Sequence, residues 1–220
     1  MQTRAEGKTL EYMTRTFVRE PDDVAAIRAE GERRRAGMQV SPYEGALLAW
    51  IVAISGATRI LEIGTFMGYS TLWMASALPE GGHITSLEFD AGHAQQARQH
   101  VQHSLHKNQI EIVHTDALVW LQQQPATPVY DLVFIDADKR NYFNYLNASL
   151  KLLKPRGWVV GDNTLLFGAL SGENPDGART EAKAAMLQFN DALADPDRFE
   201  GIMLPTPEGL TVARLKGDAR

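Results

Sequence analysis

The sequence predicts an α/β fold built on a mostly parallel β-sheet. Apolar runs of strand length alternate with segments of helical periodicity from about residue 59 to residue 194. Strands separated by helices need crossover connections, and sheets built this way are parallel and covered on both faces. A glycine-containing turn follows the first strand and leads into a helix, which predicts a nucleotide-type ligand site there.

Length and composition limit the classes of protein to consider. With 220 residues, of which 44% are hydrophobic, the chain is long enough for one well-packed domain, with residues 1–57 as its N-terminal helical segment and residues 58–220 as its core. The net charge of -5 argues against general nucleic-acid affinity. The absence of cysteine excludes disulfides and Cys-ligated metals. The sequence contains neither a membrane-spanning run nor an apolar leader, so we expect a cytoplasmic protein.

The N-terminal segment is predicted to be helical. One helix starts at Pro21 and runs to about Arg35. Another starts with Ser41 as N-cap, Pro42 at the first helical position and Glu44 in capping-box position. The apolar face of this second helix is expected to pack on the sheet.

The elements of the core follow in regular alternation. The sequence predicts strands at 60–63, 83–88, 110–114, 130–136 and 157–161, and helices at 71–78, 90–105, 117–124 and 141–153. The loop at 165–179, rich in Gly, Asn and Pro, is predicted to be either a lid or a disordered insert. A helix at 180–194 precedes strands at about 200–204 and 209–215, whose short connection predicts an antiparallel hairpin at the sheet edge.

The turn after the first strand suggests which nucleotide binds. A dinucleotide site would need three glycines spaced G-x-G-x-x-G, whereas this turn has only Gly64 and Gly68, so an oxidoreductase is disfavoured. Glu62, and Glu88 at the end of the second strand, suit a ligand with an amino group and a ribose, because one carboxylate can accept both ribose hydroxyls. The pattern from Glu62 to Ser70 resembles the S-adenosylmethionine (SAM) site of class I methyltransferases. The alternative is a domain whose glycines only turn the chain.

Polar residues follow two later strands, at the point where each strand ends. Asp136 is the last residue of the predicted strand at 130–136, and Asp162 and Asn163 follow the strand at 157–161. In open α/β folds the carboxyl ends of the strands form the ligand-binding edge. Carboxylate and amide oxygens suit Mg²⁺, with Mn²⁺ or Ca²⁺ as substitutes. The alternative is that the aspartates cap the segments that follow them.

Three histidines are spaced three residues apart on the predicted helix at 90–105 and just beyond it. His100, His103 and His106 rotate away from one another along a helix, which is a poor arrangement for a shared metal. We therefore expect a solvated helix face.

Five motifs together resemble the cation-dependent O-methyltransferases, the family of catechol and caffeoyl-coenzyme A O-methyltransferases. The motifs are Met38–Pro42, Glu62–Gly64, Gly68–Ser70, Ile135–Lys139 and Gly161–Asn163, and the resemblance runs from about Met38 to the chain end. It implies a single-domain Rossmann-like methyltransferase fold, with a seven-stranded, mostly parallel sheet, a C-terminal antiparallel hairpin and helices on both faces. It also implies a homodimer, as is common in that family.

The resemblance assigns roles to individual residues. It implies that Asp136, Asp162 and Asn163 hold the divalent cation, and that Lys139 and Asp136 are catalytic. The residues expected to surround SAM are Met38, Val40, Glu62, Gly64, Thr65, Phe66, Gly68, Tyr69, Ser70, Glu88, Asp116, Ala117 and Asp136. Met38 would lie near the sulfonium, and Asp116 has an equally good structural role as a helix N-cap.

The chemistry expected of this set is methyl transfer from SAM to one hydroxyl of a vicinal dihydroxy aromatic, with S-adenosylhomocysteine (SAH) as product. Lys139 would take the hydroxyl proton, which requires a lowered lysine pKa that a nearby cation and desolvation both favour. The alternative for Lys139 is a surface lysine paired with Asp138. A hydroxylated uridine in tRNA is the alternative acceptor, and the acidic net charge counts against it. A non-catalytic SAM-binding domain is disfavoured because the metal ligands and Lys139 are all present.

Overall fold

The computed structural model describes residues 7–35 and 37–217. Within these residues the α-helices are α1 (Gly7–Phe17), α2 (Asp22–Arg34), α3 (Pro42–Ser55), α4 (Tyr69–Ser76), α5 (Ala91–His103), α6 (Ala117–Gln123), α7 (Tyr142–Ser149) and α8 (Thr180–Ala194). The strands are β1 (Arg59–Ile63), β2 (His83–Glu88), β3 (Ile110–His114), β4 (Tyr130–Ile135), β5 (Leu153–Gly161), β6 (Phe199–Leu204) and β7 (Leu210–Leu215).

The strands form one seven-stranded sheet in the order β3-β2-β1-β4-β5-β7-β6. β1 with β2, β2 with β3, and β4 with β5 pair in parallel, whereas β7 pairs antiparallel with both β5 and β6. The predicted mixed α/β sheet with a C-terminal antiparallel hairpin is therefore confirmed.

The chain divides into two compact units, of which the first ends at Asp116 and the second begins at Ala117. The first unit contains α1 to α5 and β1 to β3. In β1 the side chains of Ile60, Leu61 and Ile63 are fully buried, as expected for a parallel strand covered on both faces. The predicted start of α3 is confirmed, since Ser41 and Glu44 form both hydrogen bonds of the capping box.

The second unit contains α6 to α8 and β4 to β7. The loop at 165–179 consists of successive turns, in which the Leu165 N–H donates to the Glu208 carbonyl and the Leu166 N–H donates to the Asn163 carbonyl, both at 2.8 Å. Leu166 is only 1% exposed. This folded loop does not fit the disordered alternative, and its role as a lid stays a prediction.

Three predicted boundaries need correction. The helix after the first strand starts at Tyr69 rather than Thr71, so the glycine turn is shorter than expected. The predicted helix at 141–153 ends at Ser149, and β5 starts at Leu153 rather than residue 157. Pro155 and Gly157 suggest a loop that ends just before the strand. In the structure, β5 continues through this stretch: it pairs with β4 at Leu153 and again at Trp158. The register shifts between these two pairs, where Arg156 has a φ of 64°.

Candidate active site

The glycine turn, residues 64–68, connects the end of β1 to the start of α4. Gly64 and Gly68 have φ values of 96° and 83°, in the left-handed region that glycine adopts without steric cost. Phe66, between them, also has a positive φ of 50°, which is strained for a bulky residue. Strain of this kind persists only where surrounding contacts enforce it.

Glu88, at the end of β2, supplies those contacts. One carboxylate oxygen accepts the N–H groups of Thr65 at 3.1 Å and Phe66 at 2.8 Å, and the other accepts the Asp90 N–H at 2.8 Å. A carboxylate offers about four acceptor positions. The protein uses three of them, which leaves about one position for a ligand hydroxyl.

Glu62, on β1, binds residues of the two elements next to the glycine turn. Its carboxylate is fully buried and accepts hydrogen bonds from the hydroxyls of Ser70 at 2.6 Å, Thr71 at 2.5 Å and Ser86 at 2.6 Å. The Thr65 hydroxyl in turn lies 2.6 Å from that of Ser86. Glu62 therefore connects β1, α4 and β2, and its side chain binds the protein rather than facing outward.

Tyr69, the first residue of α4, points towards the N-terminal segment. Its hydroxyl donates to the carboxylate of Glu20, which also forms a 2.8 Å ion pair with Arg28 of α2. Burial and the hydrogen bond to Glu20 raise the pKa of Tyr69 above its ordinary value. Because the Tyr69 hydroxyl is bound to Glu20, we expect the main chain of Tyr69, rather than its side chain, to contribute to the ligand site.

The other predicted cofactor residues differ in exposure. Met38 is half-buried and Val40 is 4% exposed, in the segment between α2 and α3. Asp116 is exposed directly before α6, and Ala117, the first residue of α6, is half-buried.

In the second unit, the ends of β4 and β5 lie side by side. Ile135 and Gly161 are register partners, and the Asp162 N–H donates to the Ile135 carbonyl at 3.1 Å. Asp136 and Asp162 thus follow neighbouring paired residues. Asp162 is 2% exposed, and the next residue, Asn163, has a φ of 54°.

Lys139 lies beside this pair. Its Nζ donates to Asp136 Oδ1 at 3.0 Å and to the Tyr142 hydroxyl at 2.6 Å, and its side chain is 15% exposed. Asp138, the partner expected if Lys139 were a surface residue, instead accepts a 2.7 Å bond from Tyr145. The surface alternative for Lys139 is therefore wrong.

Tyr142 is a site residue that the sequence analysis missed. Its hydroxyl donates to the Asp162 main-chain carbonyl at 2.8 Å, with the Ile135 carbonyl also within reach at 3.1 Å. Burial, and then the charges of Asp136 and Asp162, raise its pKa well above the ordinary value. Tyr142 is therefore protonated at neutral pH. Its position three residues after Lys139, one helical turn away, was the available signal.

The donor set at these strand ends fits a hard divalent cation. In the described part of the chain, no group of three or more His, Asp or Glu side chains has the geometry of a metal site. The predicted set contains only two carboxylates, with the amide of Asn163, and all three donors are oxygens, as Mg²⁺ prefers. Asp136 already binds the ammonium of Lys139, so the position accepts a cation.

The prediction for the histidines is wrong for His100. Its side chain is 13% exposed, and its ring nitrogens lie 2.9 Å from the Met67 carbonyl and 3.2 Å from a carboxylate oxygen of Glu30. His103 is exposed as expected, and His106 lies beyond the end of α5. The partners of His100 are distant in sequence, so helical spacing alone did not reveal them.

A model of the O-methyltransferase family matches residues 19–216. The chain belongs to the O-methyltransferase family. It is 33% identical to the catechol O-methyltransferase of Niastella koreensis, over 89% of this chain and 91% of that protein. It is 29% identical to the caffeoyl-CoA O-methyltransferase of Populus kitakamiensis, over 92% of this chain and 90% of that protein. The crystal structure of the O-methyltransferase TomG from Streptomyces achromogenes in complex with SAM has a TM-score of 0.84 and 29% identity, and the match covers 99% of this chain and 100% of that chain.

These matches confirm the predicted resemblance and the Rossmann-like methyltransferase fold. The protein is a SAM-dependent O-methyltransferase. None of the helices in residues 7–35 and 37–217 combines the length and apolar character needed to cross a membrane.

Proposed function

We propose that this O-methyltransferase acts on one hydroxyl of a vicinal dihydroxy aromatic and needs a divalent cation. The observation that carries the proposal is the arrangement at the ends of β4 and β5, where Asp136 and Asp162 follow register partners and Lys139 contacts Asp136. The names of the relatives from N. koreensis and P. kitakamiensis, which specify catechol and caffeoyl-CoA, support an acceptor of this class.

On the cofactor side, the glycine turn and the first turn of α4 would bind SAM. The glycines let backbone approach the ligand closely, and the first N–H groups of a helix are donors without helical partners. Glu88 has about one acceptor position left for a ribose hydroxyl. Glu62 acts indirectly, by holding β1, α4 and β2 together. Met38, Val40 and Asp116, in the same unit, complete this part of the proposed SAM site.

On the metal side, Asp136, Asp162 and Asn163 would hold the cation. A bound dication such as Mg²⁺ stabilises the ionised form of a chelated phenol, whose pKa is otherwise about 10. The position of Asp162 is maintained by its N–H bond to Ile135 and by the Tyr142 hydroxyl, which donates to its carbonyl.

Lys139 is the proposed base. In its neutral amine form, Nζ would take the proton of the reacting hydroxyl, and Asp136 and Tyr142 hold that nitrogen in place. Tyr142, protonated at neutral pH, does not compete for the proton. Methyl transfer then depends on in-line placement of oxygen, methyl and sulfur, so no covalent enzyme intermediate is required.

The test is transfer of labelled methyl from SAM to catechols, caffeoyl esters and bulk tRNA, each with Mg²⁺ and with EDTA. We expect label on the catechols or caffeoyl esters, and none after EDTA. Asp136→Ala should abolish transfer, whereas Asp138→Ala, at a neighbouring exposed aspartate, should retain it. Full activity in EDTA would refute the metal role, and label on tRNA alone would refute the phenolic acceptor.

A further inference from the structure

We infer that His100 is a positioning residue for the glycine turn, and that in its charged form it ties this turn to helix α2. The inference rests on the proposed binding of SAM at the glycine turn. His100 is on α5 and contacts the Met67 carbonyl, within the turn, and the side chain of Glu30, within α2. It would act on SAM binding through the turn and not by contact with SAM.

The geometry around the ring favours the doubly protonated imidazolium. Nδ1 lies 2.9 Å from the Met67 carbonyl oxygen, which can only accept, so Nδ1 carries a hydrogen. Nε2 lies 3.2 Å from a Glu30 carboxylate oxygen, which is also an acceptor. Satisfying both contacts requires a hydrogen on each nitrogen, and therefore a positive charge on His100.

The neutral ring has a different partner available. The amide nitrogen of Gln96, on the same helix, lies 3.3 Å from Nε2, and the amide oxygen of Gln96 accepts from Arg34 at 3.2 Å. With Nε2 deprotonated, this amide can donate to it. The bond to Met67 is present in both states, so the proton controls only the tie to α2.

The charged groups that face the ring come from α2. Glu30 binds both His100 and Arg34, and the ion pair with Arg34 measures 2.7 Å. Partial burial raises the pKa of Glu30, but hydrogen bonds from Arg34 and His100 outweigh it and lower that pKa overall. Glu30 therefore stays ionised where imidazoles titrate. A ring without the Nε2 proton would present a lone pair to this carboxylate, and the contact with α2 would break.

A second contact links the other end of α2 to the residue that directly follows the glycine turn. Glu20, just before α2, accepts from Tyr69 and pairs with Arg28 of α2. Tyr69 is two residues after Met67, so contacts connect the chain to α2 on both sides of Gly68. Loss of the His100–Glu30 contact would remove one of these two links to α2, close to the strained Phe66. It should weaken SAM binding without abolishing it.

The experiment measures the dissociation constant of SAH by calorimetry from about pH 5.5 to about pH 8.5, the range in which histidines titrate. We expect wild-type affinity to fall about threefold to tenfold as pH rises, as a partly exposed ion pair coupled to a binding site would give. His100→Gln and Glu30→Gln should bind weakly and with a flatter pH profile, and the double variant should be no weaker than either. His103→Gln, a matched change on the same helix, should follow wild type.

Other outcomes would overturn the inference. If His100→Gln keeps the wild-type profile while folded Glu88→Gln binds SAH more weakly, the role of His100 is refuted and the proposed SAM site stands. If Glu88→Gln also binds like wild type, the proposed site itself fails. If His100→Gln lowers affinity equally at every pH, with the wild-type slope intact, His100 has only a structural role.

Discussion

Replacing Glu88 with Gln tests how the glycine turn is held. The carboxylate accepts three backbone N–H groups, two from the turn at Thr65 and Phe66 and one from Asp90. An amide has a single oxygen acceptor, so its NH₂ group must face one of these donors. The favoured orientation keeps the oxygen on Thr65 and Phe66 and turns the NH₂ towards Asp90, where water can reach the exposed residue.

The expected cost follows from this change in bonding. A hydrogen bond to a charged group contributes about 1.5–3 kcal/mol and a neutral one about 0.5–1.5 kcal/mol, so each of the two retained bonds weakens by about 1 kcal/mol. Losing the bond to Asp90 adds to the cost, and burying a neutral amide in place of a carboxylate offsets part of it. We expect Glu88→Gln to lower the free energy of unfolding by about 2 kcal/mol.

The assay is urea denaturation at neutral pH, with the midpoint compared at constant slope. Glu111→Gln is the matched control, because that strand glutamate has a side chain 63% exposed and should change stability by less than about 0.5 kcal/mol. A Glu88→Gln protein as stable as the control would show that the three N–H contacts do not hold the turn, and the reasoning above would be refuted.

Three further predictions follow from the same geometry. Lys139→Met should lower kcat by about 10²- to 10⁴-fold with the SAH dissociation constant nearly unchanged, measured by single-turnover assays and calorimetry; an unchanged kcat would remove Lys139 from the reaction. Gly68→Ala should lower the free energy of unfolding by about 1 kcal/mol, because alanine is strained at a φ of 83°. The added methyl would not clash, since its nearest neighbour, Ala97 Cβ, lies 3.6 Å away, so unchanged stability would contradict the backbone strain. Tyr69 has a folded-state pKa above its unfolded value of about 10, so its contribution to stability is complete below pH ~10 and declines at higher pH. Tyr69→Phe should therefore lose less stability than wild type between pH 9 and 11 in urea denaturation, and parallel losses would argue against this assignment.

Much of the fold could be predicted from the sequence because its signals are local. A buried strand, a glycine turn and a helix start follow one another between Arg59 and Ser70, and each has its own residue pattern. The capping box at Ser41 and Glu44 spans only three residues. Asp136 directly follows a strand, so strand prediction alone placed it at the sheet edge.

The roles of the acidic residues could be predicted only in part. The sequence predicted that Glu62 and Glu88 bind the ligand. It did not show that Glu62 binds three hydroxyls or that Glu88 binds three N–H groups, because half of these donors, Thr65, Phe66 and Ser86, are more than twenty residues away in the chain.

The sequence by itself determined the α/β class, the glycine turn and the polar residues that follow β4 and β5, since strands and turns depend on neighbouring residues. Only the tertiary structure decided that Tyr142 binds the Asp162 carbonyl, that Tyr69 binds Glu20, and that His100 lies between Met67 and Glu30. The Glu30 and His100 side chains are 70 residues apart in the chain. Periodicity places a side chain on a face of its own helix, but its partner is set by the packing of whole helices and strands, to which distant segments contribute together.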